Sequence, residues 1–233
     1  MIGGRAITAL LAAAALGACS AQAPSAPPPP PTQSQPPRQG VPVQQLFEAD
    51  VNLVRQAVEA GADLETRDDR GRTPLLVAVT ENRVEVAGVL VEAGADPNAL
   101  DGRHDTPWLV TGVTGNVAMA KLLLGSKPDL TITNRFGGVS LIPASERGHV
   151  EYVRLVANSG IDVDHVNDLG WTALLEAVIL GDGGPRHQEV VRALAAAGAD
   201  VNLADKDGVT PLAHARAKGQ TTVAQILKEA AAR

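Results

Sequence analysis

Three tripeptides, Thr73-Pro74-Leu75, Thr106-Pro107-Trp108 and Thr210-Pro211-Leu212, mark equivalent points along this chain, and Val139-Ser140-Leu141 and Thr172-Ala173-Leu174 lie between them. The five tripeptides recur at intervals of 33, 33, 33 and 38 residues. A second marker closes successive units as Gly61-Ala62-Asp63, Gly94-Ala95-Asp96, Ser126-Lys127-Pro128-Asp129, Gly160-Ile161-Asp162 and Gly198-Ala199-Asp200. Because these two independent markers share one period, the chain is predicted to be a repeat protein.

Each tripeptide has the chemistry of a helix N-terminus. A Thr hydroxyl can accept a backbone N–H of the first turn, and Pro at the first helical position lacks an N–H that would have no partner there. Nine residues after the first residue of a tripeptide, the chain carries a residue that favours the left-handed conformation that ends a helix. These residues are Asn82, Gly115, Gly148 and Gly219. A second apolar segment then runs to the closing marker, so we expect two short helices in each unit.

With these motifs in register, residues 43–233 resemble the ankyrin repeat, a unit of one turn and two antiparallel helices. The resemblance implies an all-α ankyrin-repeat solenoid of about six helix-turn-helix units joined by short hairpin turns. Residues 43–67 lack the Thr-Pro entry and are expected to form the N-terminal cap, while the last unit should form the C-terminal cap. The expected units are 43–67, 68–100, 101–133, 134–166, 167–204 and 205–233.

The fifth unit is longer than the others, with its extra residues around Asp182 to Arg186. They fall between the two helices of the unit, so we expect a loop, either a tolerated surface insertion or a contact loop. Aromatic residues make up only 2% of the chain, which suits thin stacked layers rather than one bulky core. Trp108 is expected to fill core volume. Truncating Leu155 in a central unit is expected to cost more stability than truncating Leu227 in the end cap.

Residues 1–18 are predicted to be an export signal. Arg5 is the only charged side chain before the apolar run Ala6 to Leu16, which is too short to span a bilayer. Leu16-Gly17-Ala18-Cys19 resembles the lipobox of bacterial lipoproteins, which implies cleavage before Cys19 and acylation of its thiol. The alternative is a plain secretory signal whose cleavage site includes a cysteine. Residues 19–42, which follow the cut, are rich in proline and favour a semi-rigid polyproline II linker.

The lipoprotein resemblance also implies a location. Ser20 after the lipidated cysteine favours the outer membrane in bacteria with two membranes, with the repeats in the periplasm. Cys19 is the only cysteine in the chain, so the repeats contain no residue that could form a disulfide in an oxidising compartment. Membrane contact is expected only through the N-terminal lipid on Cys19.

Charge and motif content argue against several functions. The formal net charge is −6, and an acidic chain lacks the basic surface that nucleic acid requires. Asp162, Asp164, His165 and Asp168 resemble a metal cluster, but Asp162 belongs to the closing marker and Asp168 to the next turn. A hydrolase or metal enzyme would need a catalytic cluster, and the sequence provides none. We therefore expect no catalytic residue, no metal and no cofactor.

Ankyrin binders contact partners through the tips of their turns and the ends of their first helices. In this chain several of these positions carry apolar side chains where solvent-facing ones are expected, and exposed aromatic residues beside Arg are typical of binding hot spots. The resemblance therefore implies protein binding by Arg70, Arg72, Arg103, Asp105, Arg135, Phe136, Arg147, Leu169, Trp171, Ile179 and Leu180.

The chain is thus predicted to be a monomeric, non-enzymatic interaction module that binds an unidentified envelope protein. Some similar periplasmic ankyrin proteins are linked to envelope catalases and peroxide resistance, which implies support of an envelope enzyme or of stress resistance as one role. The alternative is an inhibitor or immunity-type protein that blocks an envelope enzyme or toxin. Tight one-to-one binding with loss of the target's activity would identify the inhibitor, whereas a scaffold would leave that activity intact.

Overall fold

The computed structural model describes residues 43–48 and 50–232, and within them the regular secondary structure is entirely helical. The predicted export signal, Cys19 and the proline-rich linker lie outside these residues. A short 3-10 helix, Val43–Phe47, is followed within the described residues by eleven α-helices. In chain order these are α1 (Val51–Glu59), α2 (Pro74–Thr80), α3 (Val84–Glu92), α4 (Pro107–Thr114), α5 (Val117–Gly125), α6 (Leu141–Glu146), α7 (Val150–Val156), α8 (Ala173–Ile179), α9 (Pro185–Ala196), α10 (Pro211–Ala217) and α11 (Thr221–Ala231).

The helices stack in two layers. The even-numbered helices α2 to α10 pack on one another in chain order, and the odd-numbered helices α1 to α11 form a second layer in the same way. Within each unit the two helices also contact each other, as α2 contacts α3 and α10 contacts α11. This arrangement confirms the predicted all-α solenoid.

The capping chemistry read from the tripeptides is present in four units. The Thr73 hydroxyl accepts the Leu76 N–H at 3.3 Å, and Thr106 accepts the Leu109 N–H at 3.0 Å. Thr172 and Thr210 cap α8 and α10 in the same way. The fourth unit differs because Val139 has no hydroxyl. Its helix α6 begins only at Leu141 and has 6 residues, the shortest of the described α-helices.

The predicted helix ends are also confirmed. Asn82, Gly115, Gly148 and Gly219 have φ values of 57°, 66°, 69° and 69°. These values lie in the left-handed region, which glycine and asparagine adopt most readily. The chain therefore reverses at the expected positions and enters the second helix in the second, third, fourth and sixth units.

The core runs along the stack as a continuous apolar layer. Trp108 is fully buried, as predicted, and so is Tyr152, whose hydroxyl lies 2.7 Å from the hydroxyl of Thr111. Neighbouring first helices approach closely at Gly112, where an added Cβ would lie 1.9 Å from the carbonyl oxygen of Ser140. The expected ranking of two leucines is not supported by burial, because Leu155 is only half-buried whereas Leu227 is 1% exposed.

The loop formed by the extra residues of the fifth unit is shorter than predicted. Helix α9 begins at Pro185 and has 12 residues, so Pro185 and Arg186 belong to its first turn. The loop itself is held to the stack by His187. One ring nitrogen of His187 lies 2.8 Å from a carboxylate oxygen of Asp182, and the other lies 2.9 Å from the carbonyl oxygen of Glu146 in the preceding unit.

Across residues 43–48 and 50–232, no helix is long and apolar enough to cross a membrane.

Candidate interaction groove

Each turn between units is shaped by the carboxylate or amide at its first position. In the second unit, Asp68 Oδ1 accepts the N–H groups of Arg70 at 2.9 Å and Arg72 at 2.8 Å. In every following turn, the Oδ1 of the residue at the equivalent first position accepts the N–H groups of the residues two and four positions later. Each turn is therefore fixed by local hydrogen bonds, and its other side chains are left free to face outward.

The turn tips and the first helices of the second to fifth units form the walls of a groove of about 560 Å³. Because equivalent residues recur along the stack, the tip position of Arg70 is taken in turn by Arg103, Phe136 and Leu169. Nine of the eleven predicted contact residues line the groove. They are Arg70, Arg72, Arg103, Asp105, Arg135, Phe136, Arg147, Leu169 and Leu180.

The other two predicted residues lie outside the groove. Trp171 and Ile179 are half-buried and are not part of its lining. Trp171 follows Gly170 in the turn, and its backbone N–H donates to Asn167 Oδ1 at 3.0 Å. A role for these two side chains in binding stays a prediction, separate from the groove.

Cationic side chains predominate at one end of the groove. Asp105 lies 3.9 Å from Arg103 and 3.7 Å from Arg135, so these two arginines share one carboxylate. Burial, together with the nearby charge of Asp101, raises the pKa of Asp105. Arg72 forms an ion pair with Asp68 at 2.7 Å. Among the described residues, Arg70 forms no side-chain hydrogen bond or ion pair.

Apolar side chains predominate farther along. Phe136 is 55% exposed, Leu169 is 47% exposed and Leu180 is 51% exposed. The Arg135 guanidinium lies 4.5 Å from the centre of the Phe136 ring, a cation–π arrangement. Exposed apolar side chains gathered in one concavity and bordered by Arg are the usual material of a protein-binding surface.

The structure adds one residue that the sequence reasoning missed. Glu176 of α8 lines the groove although it is only 5% exposed. Its Oε1 accepts a hydrogen bond from Asn167 Nδ2 at 2.8 Å. Burial raises the pKa of Glu176 to about 7, with Glu146 raising it further and Asn167 and Arg147 opposing the rise. The repeat register could have identified Glu176 as unusual, because the equivalent residues of the three preceding units are the apolar Val77, Val110 and Pro143.

The stretch that resembled a metal cluster is occupied by structural hydrogen bonds. Asp162 Oδ1 accepts the Asp164 N–H at 3.0 Å, and Asp164 Oδ1 accepts the Asp200 N–H of the next unit at 2.9 Å. His165 Nε2 lies 2.7 Å from the carbonyl oxygen of Gly137. No group of three or more His, Cys, Asp or Glu side chains in the described part of the chain is placed to hold a metal ion.

Comparisons with known proteins agree with this architecture. A family model described as ankyrin repeats in three copies matches residues 109–205, and the single ankyrin repeat model matches residues 70–102. The chain is 48% identical to the ankyrin repeat protein YahD of Escherichia coli over 62 residues, which is 27% of this chain and 31% of that protein.

Solved structures extend the similarity over most of the chain. An ankyrin repeat domain from Acinetobacter baumannii is 45% identical, with a TM-score of 0.78 over 81% of this chain and 96% of that domain. The ankyrin repeat protein EF0377 is 34% identical, with a TM-score of 0.78 over 84% of this chain and 99% of that one. Ankyrin repeats generally act as non-enzymatic modules for protein–protein interaction. By repeat sequence and by fold, this chain belongs to the ankyrin repeat family.

Proposed function

We propose that this chain is a lipid-anchored interaction module of the bacterial envelope that binds a protein partner on its periplasmic side. The main support for a binding site is the groove, where Phe136, Leu169 and Leu180 remain about half exposed beside arginines. Burying such side chains against a partner supplies the apolar core of an interface, and the arginines supply its polar rim.

The position of the groove along the stack supports a partner of extended shape. It is formed by four consecutive units, and stacked helices lie roughly 8–10 Å apart, so its length is on the order of 30 Å. A peptide segment or an exposed loop of a folded protein could lie along it. The partner that we favour is an envelope enzyme, which this chain would support in place, including under peroxide stress.

The anchor is supported by sequence alone, through the resemblance of Leu16-Gly17-Ala18-Cys19 to a lipobox. The experiment is metabolic labelling with a tagged fatty acid, comparing the parent chain with Cys19→Ala. The parent chain is expected to incorporate the label and to sediment with the outer membrane, and the variant is expected to do neither. Equal labelling of both chains would contradict the lipid anchor but would leave the groove untouched.

The partner is sought by placing a photo-crosslinking residue at Leu169 in living cells, with the exposed Glu92 of α3 as the matched control position. A product formed from position 169 and absent from position 92 is expected. Phe136→Ala should reduce that product several-fold, since truncating a hot-spot side chain costs about 2 kcal/mol or more. Labelling that is equal at both positions and unaffected by Phe136→Ala would contradict the groove as the binding site.

The same partner decides between support and inhibition. If the partner is an enzyme or a toxin, its activity is measured alone and with an equimolar amount of this chain. Unchanged activity is expected of a support module. Stoichiometric loss of activity, restored by Phe136→Ala, would identify an inhibitor or immunity-type protein instead.

A further inference from the structure

The floor of the groove contains a buried acid at a register where the three preceding units carry apolar residues. Glu176 lies four residues after the capping Thr172, and the three units before it have Val77, Val110 and Pro143 at that position. Val110, Pro143 and Glu176 all line the groove. An ionisable side chain therefore replaces the apolar floor at one point of a lining that also includes Leu169 and Leu180.

Only one of the two carboxylate oxygens of Glu176 has a structural role. The next unit has an equivalent link, in which His214 Nε2 lies 2.7 Å from Asp205 Oδ2, nine residues earlier in the chain. The bond from Asn167 to Glu176 likewise joins the first residue of a turn to the helix that follows it. It uses Oε1, and within the described residues Oε2 of Glu176 has no hydrogen-bond partner.

Within the described residues no cation forms an ion pair with Glu176, although the charge of Arg147 partly opposes the rise of its pKa. Arg147 lies at the end of α6, but its guanidinium donates to Glu146 at 2.8 Å and to the carbonyl oxygen of Pro143 at 3.2 Å. Glu146 is itself acidic, and on the α10 side His214 is held by Asp205, while Lys218 donates to the carbonyl oxygens of Val178 and Gly181 at the end of α8. Helix α9, also packed against α8, contributes no residue to the described groove lining. A buried carboxylate without a cation is unfavourable until a donor reaches it.

We propose that Glu176 determines the specificity of the groove by binding a Lys or Arg side chain of the partner, beside an apolar side chain that packs on Phe136, Leu169 and Leu180. This inference rests on the proposed function of the groove. Charge complementarity extends it to the other end, where Arg70, Arg103 and Arg135 favour an acidic residue.

The repeat spacing sets the distance between the two charges in the partner. Arg103 and Glu176 belong to units two steps apart, so they are separated by roughly 16–20 Å along the stack. An extended chain advances about 3.3 Å per residue. The preferred occupant is therefore an extended segment in which an acidic residue and a basic residue are about five or six positions apart, with an apolar residue near the basic one.

The test uses an array of random twelve-residue peptides and the fluorescently labelled full chain in detergent, near pH 8. We expect bound peptides to be enriched in Lys or Arg next to an apolar residue. Glu176→Gln retains one side-chain oxygen that can accept from Asn167, removes the negative charge and replaces the second oxygen with an NH2 group. It should weaken binding of those peptides about tenfold or more, since losing one partner of a buried charge pair is costly, while Glu92→Gln should not.

A second measurement uses the unmodified chain and needs no variant. At about pH 5.5 most Glu176 side chains are protonated before binding, because burial raises the pKa of this residue to about 7. Lys and Arg remain charged at both pH values. The preference for basic peptides should therefore fall about tenfold or more between about pH 8 and about pH 5.5. No histidine is found among the described residues that line the groove, so no lining imidazole titrates in this interval.

The outcomes separate this inference from the function on which it rests. Peptides that bind in a Phe136-dependent manner but show no basic enrichment, or the same enrichment with Glu176→Gln, would overturn the role of Glu176 and leave the groove as a binding site. An array with no bound peptide, or with binding unaffected by Phe136→Ala, would overturn the proposed function together with this inference.

Discussion

Replacing Glu176 with Gln is expected to stabilise the domain at alkaline pH. Burial raises the pKa of Glu176 from 4.5 to about 7, so the folded chain holds a proton that the unfolded chain has already lost. Each pKa unit corresponds to about 1.4 kcal/mol, and the whole rise to about 3 kcal/mol. Glutamine has nearly the same shape and can still accept the bond from Asn167.

The sign of the effect follows from proton binding. The pKa of Glu176 is higher in the folded state than in the unfolded state. Ionisation of Glu176 therefore does not reduce the free energy of unfolding below pH 4.5. The free energy of unfolding then falls as the pH rises, and the full reduction is reached above about pH 7. Between about pH 5 and about pH 8 the loss is about 2.5 kcal/mol. The Gln variant has no carboxyl group at this position and should not show this loss.

The measurement is urea unfolding followed by the helical circular dichroism signal, for the parent chain and Glu176→Gln at about pH 5, 6, 7 and 8. The difference between the two free energies of unfolding should grow by about 2.5 kcal/mol across the series, and other titrating groups cancel in that difference. Glu92→Gln, which changes an exposed side chain of α3, should follow the parent chain. A difference between the parent and Glu176→Gln that stays constant with pH would show that the folded state does not raise the pKa of Glu176.

Three further substitutions test the packing and the binding surface. Gly112→Ala should lower the thermal midpoint severely, since its Cβ would lie 1.9 Å from the Ser140 carbonyl oxygen, whereas Gly88→Ala in α3 meets no atom within 4 Å and should raise stability by about 0.5–1 kcal/mol. Leu227→Ala should cost about 2–5 kcal/mol in a denaturant titration, and Leu155→Ala should cost less, because only Leu227 is fully buried; the opposite order would show that position in the stack outweighs burial. Trp171→Ala should leave partner affinity within about threefold if the groove alone carries binding, and a loss of about 2 kcal/mol or more in affinity would extend the interface beyond the groove.

Much of the fold could be predicted because its determinants are local. A Thr hydroxyl, a Pro ring and a left-handed Gly each act within a few residues, so Thr73 and Gly115 indicate helix ends without knowledge of the rest of the chain. The prediction was less accurate where neighbouring units decide the outcome. Helix α6 starts late without a capping hydroxyl, and α9 absorbs part of the insertion because His187 ties it to the preceding unit.

The groove could be predicted only in outline. The repeat register placed Arg70, Arg103, Phe136 and Leu169 at equivalent tips, and the structure brings them together along one concavity. The repeat register does not show which way a side chain turns. Trp171 was therefore predicted to be a contact residue, although it lies outside the groove lining. Glu176 was not predicted because it lies at neither a turn tip nor the end of a first helix, but within the first turn of α8.

The position of Glu176 also links binding to local stability. In a stack where each unit contacts only its neighbours, the cost of one buried charge falls mainly on the fifth unit and the units that pack against it. A partner cation at Oε2 would remove that cost at the moment of binding, so part of the affinity would come from relief of the desolvated carboxylate. A glutamine at this position would give a more stable groove at alkaline pH, but one that no longer distinguishes a basic side chain from a neutral one. The lower stability of the free domain and the selectivity of the groove thus have the same physical origin.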